Sequence, residues 1–348
     1  MADGPLRVLV VDDSALYRQM LQNLLRRIPD VEVVGAAADG VEALSLVERL
    51  RPDLLTLDVQ MPAMDGLDVL RHLRQHRLRP GVIMVSSLTS QGAKATTDAL
   101  LEGAFDFILK PVGNDLLAGR EALLRELAAK VSAYRGFGPV VSPAAPGREA
   151  AQTTPEPTAA VIVIGTSTGG PTALRQVLPL LPATLPVPVL VVQHIPADFS
   201  TALAARLDEV SPLEVVEASE GMPVVAGRVC IAAGGRHLTL VRKGGRVTCA
   251  LTEDAPRHGC RPSVDVLLES AVVAYPAGVT AAILTGMGRD GAEGCGLVKR
   301  HGGRVVAQAP EGCAVYGMPK AVIEGGHADL VVPLGRMAEA IRSTAARA

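Results

Sequence analysis

The 348-residue chain has 48% hydrophobic and only 2% aromatic residues, lacks Trp, and sets 34 Lys+Arg against 36 Asp+Glu. The length suits two domains of ~100–200 residues with cores of Val, Leu, Ile and Ala, and the charge balance excludes a nucleic-acid or anionic-membrane surface. No apolar run reaches the ~18 residues of a membrane span, no signal peptide is expected, and the five scattered cysteines, with no C-x-x-C, read as reduced, mostly buried thiols of a cytoplasmic protein.

Residues 6–132 alternate apolar β-runs with amphipathic stretches. Strands are expected at Arg7–Val11, Val31–Ala37, Asp53–Leu57, Val82–Val85 and Phe105–Ile108. Helices are expected at about Ala15–Arg27, Gly40–Arg49, Gly66–Gln75, Ala93–Glu102 and Asn114–Ala133. Nearly continuous apolar strands imply a parallel sheet covered on both faces, a doubly wound βα domain. Ligands in such sheets sit beyond the carboxyl ends of the strands, and polar residues gather there: Asp12 and Asp13, then Asp58, then Ser86 and Ser87, then Lys110. Carboxylates meeting at one sheet end repel each other and need a cation, and hard oxygen ligands suit Mg2+. Asp58 is then poised as a phosphoryl acceptor, with the metal and Lys110 neutralising the moving oxygens and Ser86 hydrogen-bonding one of them.

The motifs D-D-S (Asp12–Ser14), D-x-x-M-P-x-M-D-G (Asp58–Gly66), V-S-S (Val85–Ser87) and K-P (Lys110–Pro111) make this half resemble a two-component receiver domain, a flavodoxin-type sheet. The resemblance implies phosphorylation of Asp58 by a histidine kinase. It implies Mg2+ binding by Asp13, Asp58 and the Gln60 carbonyl, with Asp12 assisting. Ser86 and Lys110 become the switch pair, and Phe107 occupies the place of an aromatic rotamer switch.

The receiver is bounded at 1–134. Residues 135–158, with five prolines and no hydrophobic period, read as a flexible tether, and 159–348 as the second domain.

This second domain opens on Ala160–Thr172, AVIVIGTSTGGPT. Val161–Ile164 reads as a strand, Gly165–Gly170 as a tight turn, and Thr172–Leu181 as a helix. A serine at such a turn, Ser167, stands clear of both elements, beside the free N–H groups of a helix start. An acyl-transfer nucleophile needs that arrangement. The G-x-S-x-G letters match a nucleophile elbow. A Walker A loop is excluded by Pro171 where lysine is required, and a dinucleotide fingerprint by Ser167 where glycine is required.

Val187–Val192 is the next buried strand, ending in Gln193, His194, Ile195 and Pro196, with a helix at Phe199–Leu207. Gly227–Ala232 and Leu238–Arg242 are shorter strands, and Val247–Leu251 completes a small antiparallel section. Pro262–Ala274 is a helix. Thr280–Leu284 is a buried strand ending in T-G-M-G-R-D-G (Thr285–Gly291), with a helix to about Arg300, then strands at Arg304–Gln308 and Asp329–Val332. Ser167, His194 and Asp290 thus close three βα turns of one sheet. A serine needs a base, an imidazole supplies it, and a carboxylate fixes the tautomer. The order Ser, His, Asp differs from the Ser, Asp, His of α/β hydrolases. Backbone N–H groups at Thr168 and Met287 serve a developing oxyanion, with Met287 as apolar filler the alternative reading. His237, His301 and His327 read as surface or capping groups, and His258 as a loop residue near the cleft. No thiol sits in a turn like that of Ser167, so a cysteine nucleophile is the lesser reading. The spacing of His and Cys gives no zinc site.

The motifs G-T-S-T-G-G-P, V-Q-H-I-P, R-P-S-V-D-V-L, L-T-G-M-G-R-D-G and Y-G-M-P-K-A make this half resemble the catalytic domain of the chemotaxis protein-glutamate methylesterases, a Rossmann-like α/β fold. The resemblance implies a Ser167–His194–Asp290 triad that hydrolyses glutamate γ-methyl esters on chemoreceptors, deamidates particular receptor glutamines, and needs no cofactor in the esterase domain. It implies a phosphorylation-activated enzyme, in which the unphosphorylated receiver is expected to block large substrates. A regulatory adaptor of the same architecture in a non-chemotactic array is the alternative.

Overall fold

The computed structural model describes residues 4–78, 80–87, 89–111, 116–137 and 159–345. The chain falls into two compact units, Met1–Pro139 and Val140–Ala348.

The first unit alternates β1 (Leu6–Val11), α1 (Ala15–Leu25), β2 (Val31–Ala37), α2 (Gly40–Leu50), β3 (Leu54–Asp58), α3 (Gly66–Gln75), β4 (Gly81–Ser86), α4 (Ser90–Leu101), β5 (Asp106–Leu109) and α5 (Leu116–Phe137). The five strands are parallel in the order β2-β1-β3-β4-β5. Ser14, Asp39, Asp65 and Thr89 each accept the N–H three residues on, which fixes where α1 to α4 begin. Thr89 explains why α4 starts before the expected Ala93: its hydroxyl already caps Gly92.

The expected start of α5 at Asn114 lies outside the described residues. Its end does not fall at Ala133 but at Phe137, so the helix enters the segment expected to be tether. Tyr134 is the reason. It is buried, its hydroxyl donates to the Asp53 carbonyl (2.9 Å) and accepts from Gly81 N–H (3.0 Å), and this pins the last turns to the sheet. Residues 138–158 of the expected tether lie outside the described residues.

The second unit contains β6 (Val161–Thr166), α6 (Gly170–Val177) with a 3-10 turn at Leu178–Leu180, β7 (Val189–Gln193), α7 (Phe199–Asp208), β8 (Glu214–Glu217), β9 (Arg228–Ile231), β10 (His237–Lys243) and β11 (Arg246–Thr252). It continues with α8 (Val264–Ala274), β12 (Val279–Ile283), α9 (Ala292–Arg300), β13 (Arg304–Gln308), α10 (Met318–Glu324), β14 (Leu330–Val332) and α11 (Leu334–Thr344). Seven strands form a parallel sheet, β14-β13-β12-β6-β7-β9-β8, and β10 pairs antiparallel with β11 apart from it. One core fills the space between this sheet, α8, α9 and the β10–β11 hairpin.

In each unit the strand order reverses beside the first strand: between β1 and β3, and between β6 and β12. Such a reversal opens a crevice at the carboxyl ends, where α/β sheets bind ligands. Among the described residues no helix is long and apolar enough to cross a membrane.

Candidate active site and phosphoacceptor site

The three strands preceding Asp290, Ser167 and His194 are neighbours, in the order β12-β6-β7. β6 extends through Gly165 and Thr166, which were expected in the turn, because both pair in register with β7. The ladder then runs one step further, with His194 N–H on Thr166 O (3.1 Å) and Ser167 N–H on Thr285 O (3.0 Å). Ser167 and His194 therefore leave adjacent strands at the same level, about one strand spacing apart.

The turn is only Ser167–Gly169. Gly169 adopts φ +77°, and a Cβ there would lie 2.3 Å from that of Ala314, so both conformation and space require glycine. The Gly170 N–H closes the turn on Ser167 O (2.7 Å). Gln193 binds both loops, its Nε2 donating to Ser167 O and His194 O at 3.0 Å each. The Gly286 loop lies against the serine: a Cβ at Gly286 would stand 2.8 Å from that of Ser167. Thr168 is buried, whereas Met287 is 40% exposed, more than the alternative reading of apolar filler expects.

The end of β6 separates His194 from Asp290, yet their side chains meet, Nε2 to Oδ2 at 2.7 Å. Asp290 is 2% exposed. Its Oδ2 also accepts Val264 N–H (2.7 Å), and its Oδ1 accepts the Ser263 hydroxyl (2.7 Å) and Asp265 N–H (3.1 Å). Burial alone would raise its pKa, but the His194 bond and charge and the Val264 and Ser263 donors hold it down at about 2. Burial would lower that of His194, but hydrogen bonds with Asp290 and Cys260 push it up to about 9.

Cys260 was not singled out from sequence. It is half-buried, on a turn closed by Arg257 N–H to Cys260 O (3.0 Å) and Cys260 N–H to Arg257 O (2.8 Å). The turn directly precedes the R-P-S-V-D motif, whose backbone and serine hold Asp290. His258, expected as a loop residue, has Nε2 3.0 Å from Oδ2 of the fully buried Asp265. His237, read from the sequence as a surface or capping group, is buried. It begins β10, paired with Thr252, and its Nε2 lies 3.2 Å from Ala255 O.

In the first unit, Val11 pairs with Leu57, so Asp12 and Asp58 emerge side by side. Both are buried, while Asp13 is exposed. Carboxylate oxygens of all three lie within 4.8 Å of one another. Lys110 Nζ bridges Asp12 Oδ2 (2.8 Å) and Asp58 Oδ2 (2.7 Å) and stands 4.7 Å over the Tyr17 ring. Burial raises the pKa of Asp58, against the hydrogen bond and charge of Lys110, and the Asp12 charge adds to the rise. Burial would lower that of Lys110, but its bonds to Asp12 and Asp58 raise it. The exposed Gln60 hydrogen-bonds Asp58 through its backbone. An all-oxygen donor set, with carboxylate oxygens of Asp12, Asp13 and Asp58 drawn within 4.8 Å of one another, fits a hard divalent cation such as Mg2+.

Ser86 and Phe107 are both buried. The Ser86 Oγ accepts the hydroxyl of the fully buried Thr96 on α4 (2.8 Å). The Phe107 ring lies 5.0 Å from Lys130 Nζ, which also binds Asp106 and Glu126 at 3.1 Å each. Neither Thr96 nor Lys130 carried a signal in the sequence, since each is recognised only through the residue it touches.

The chain matches the response regulator receiver domain family over residues 8–121 and the CheB methylesterase family over residues 162–341. The protein-glutamate methylesterase/protein-glutamine glutaminase of Desulfotalea psychrophila is 40% identical, over 97% of this chain and 98% of that one. The one from Symbiobacterium thermophilum is 44% identical, over 97% and 96%. The solved Thermotoga maritima CheB methylesterase catalytic domain matches with a TM-score of 0.52 and 44% identity, over 53% of this chain and 97% of that structure.

Proposed function

The chain belongs to the CheB methylesterase family, and we propose that it hydrolyses glutamate γ-methyl esters on chemoreceptors through Ser167, His194 and Asp290. What supports the assignment above all is the convergence of three loops from adjacent strands, with the His194–Asp290 bond at 2.7 Å. Since Nε2 faces Asp290, Nδ1 is the base. Ser167 Oγ attacks the ester carbonyl as Nδ1 takes its proton. The N–H groups of Thr168 and Met287 receive the oxyanion. The imidazolium returns the proton to the departing methoxide, methanol leaves, and water cleaves the acyl-serine by the same route. A receptor glutamine reacts likewise, with ammonia leaving.

The receiver unit controls this activity through Asp58, phosphorylated by a histidine kinase. Asp12, Asp13, Asp58 and the Gln60 carbonyl would hold Mg2+, which supplies positive charge to the phosphoryl oxygens. Lys110 holds the same oxygens, Ser86 turns its hydroxyl toward them, and Phe107 follows as the aromatic switch.

The test is methanol release from methyl-esterified receptor membranes by the full chain, with and without a phosphodonor. Ser167→Ala should abolish release, and Asp58→Asn should abolish the response to the phosphodonor. An adaptor would keep its cellular phenotype in Ser167→Ala.

A further inference from the structure

The R-P-S-V-D stretch (261–265) leads into α8, and its Ser263, Val264 and Asp265 surround the Asp290 carboxylate. Three donors converge there: the Ser263 hydroxyl and Asp265 N–H on Oδ1, and Val264 N–H on Oδ2. Oδ2 is also the oxygen 2.7 Å from His194. A helix N-terminus favours an anion by charge and by its unpaired N–H groups. Here the anion is a side chain from another loop.

The turn is itself held from behind. Asp265 Oδ1 accepts Gly294 N–H (2.7 Å) in the first turn of α9, and its Oδ2 meets His258 (3.0 Å). The grip is therefore reciprocal. The start of α8 holds the carboxylate just before α9, and the start of α9 holds a carboxylate on α8. A Cβ at Gly294 would stand 2.7 Å from that of Leu268, so only glycine lets the two helices come this close.

The terminal torsion of an aspartate is soft. One oxygen of Asp290 must be anchored if the other is to stay in the plane of the imidazole. The backbone donors to Asp290 are fixed by the helix, and Ser263 adds a side-chain donor on Oδ1, the oxygen away from His194. We propose that Ser263 is a positioning residue for the ester hydrolysis: its hydroxyl anchors Oδ1 of Asp290 so that Oδ2 stays on His194 throughout the proton transfers. This rests on the triad reading above. Ser263 Oγ also accepts Val266 N–H (3.5 Å) as the α8 cap, so a purely structural role has to be separated from a positioning one.

Ser263→Gly makes the separation, because glycine is accepted at a helix N-cap nearly as well as serine. Ser263→Ala removes cap and hydroxyl together, and Ser263→Thr retains both. Methanol release from methyl-esterified receptor membranes is measured with the full chain, well below each variant's melting temperature. We expect kcat to fall about 100-fold in Ser263→Gly and Ser263→Ala at unchanged KM, and Ser263→Thr to recover most of it. A wild-type kcat in Ser263→Gly, with only the melting temperature of Ser263→Ala lowered, would reduce Ser263 to a helix cap and overturn the proposal. Undiminished release by Ser167→Ala would overturn the triad and the proposal together, a result distinct from the first.

Discussion

Asp58 ends β3 and Asp290 follows β12, each strand beside the reversal of its sheet, and both residues are buried, at 5% and 2% exposure. Their acidities move in opposite directions. Asp58 is raised by burial, with Asp12 beside it and Lys110 shared between the two. Asp290 is held at about 2 by His194 and by donors at the start of α8. Burial is common to both, so the donors decide the sign. A carboxylate surrounded by fixed N–H and O–H groups is assembled for use as it stands. One that shares a single ammonium with a second carboxylate keeps uncompensated negative charge, which suits a divalent cation. The esterase unit therefore holds its carboxylate in a fixed set of donors that includes His194, and the receiver unit gathers its carboxylates around one ammonium.

The most damaging change to this contrast is Asp290→Asn. The amide keeps the volume and removes the charge, and Nε2 no longer faces an anion. Loss of this group leaves the imidazole in the wrong tautomer, and kcat for methanol release should fall about four orders of magnitude. A loss smaller than tenfold would show that the His194–Asp290 bond is ornamental to the chemistry.

A pH profile sharpens the same point. His194 must be neutral to act as base, and its pKa is pushed up to about 9. The kcat/KM should therefore climb roughly tenfold per pH unit above 7 and level off near 9. Cys260 contributes to that rise through its hydrogen bond, so Cys260→Ala should move the climbing limb to lower pH. An unmoved limb would mean that Asp290 alone sets the basicity.

The same pair fixes the pH dependence of stability. His194 has a folded pKa above its ordinary 6.5, so its contribution is complete below about 6.5 and is lost as pH rises through about 9. Asp290 lies below its ordinary 3.8, so its contribution is complete above about 3.8 and is lost as pH falls through about 2. The His194–Asp290 hydrogen bond enters both, so the two are not additive. Unfolding of the second unit should be hardest between about pH 4 and 6.5 and should lose on the order of 3 kcal/mol by pH 10. Denaturant titrations of Asp290→Asn should show a smaller loss, with the part due to Cys260 remaining.

The alternation of apolar runs carried most of this fold, because a buried parallel strand has few other sequences. The placement of Ser167, His194 and Asp290 after strands was legible for the same reason, since each follows a short, nearly all-apolar run. What escaped depends on side chains meeting across the chain. β8 is a four-residue edge strand, E-V-V-E, too short to show a period. α10 opens M-P-K after a glycine, which resembles a loop. The tether was expected to begin at Arg135, but Tyr134 holds the helix on to Phe137 through bonds to residues 53 and 81. His237 carries no local mark of burial, and Cys260 none of its approach to His194. R-P-S-V-D was visible as a motif, but its use became visible only when α8 was found to point at Asp290.

The smallest effect belongs to the receiver. Ser86 Oγ now accepts the Thr96 hydroxyl, with both residues fully buried. On the proposed switch role, Ser86 turns toward a phosphoryl group on Asp58 and gives up that bond, and α4 loses a contact with β4. Thr96→Val removes the hydroxyl at nearly constant volume. The bond is worth about 0.5–1.5 kcal/mol net, so its loss should favour the phosphorylated arrangement by roughly two- to tenfold. The measured quantity is the phosphodonor concentration giving half-maximal methanol release, which should fall by that factor. A rise instead would mean that Thr96 supports the phosphorylated state, and that the hydrogen bond forms no part of what signalling must break.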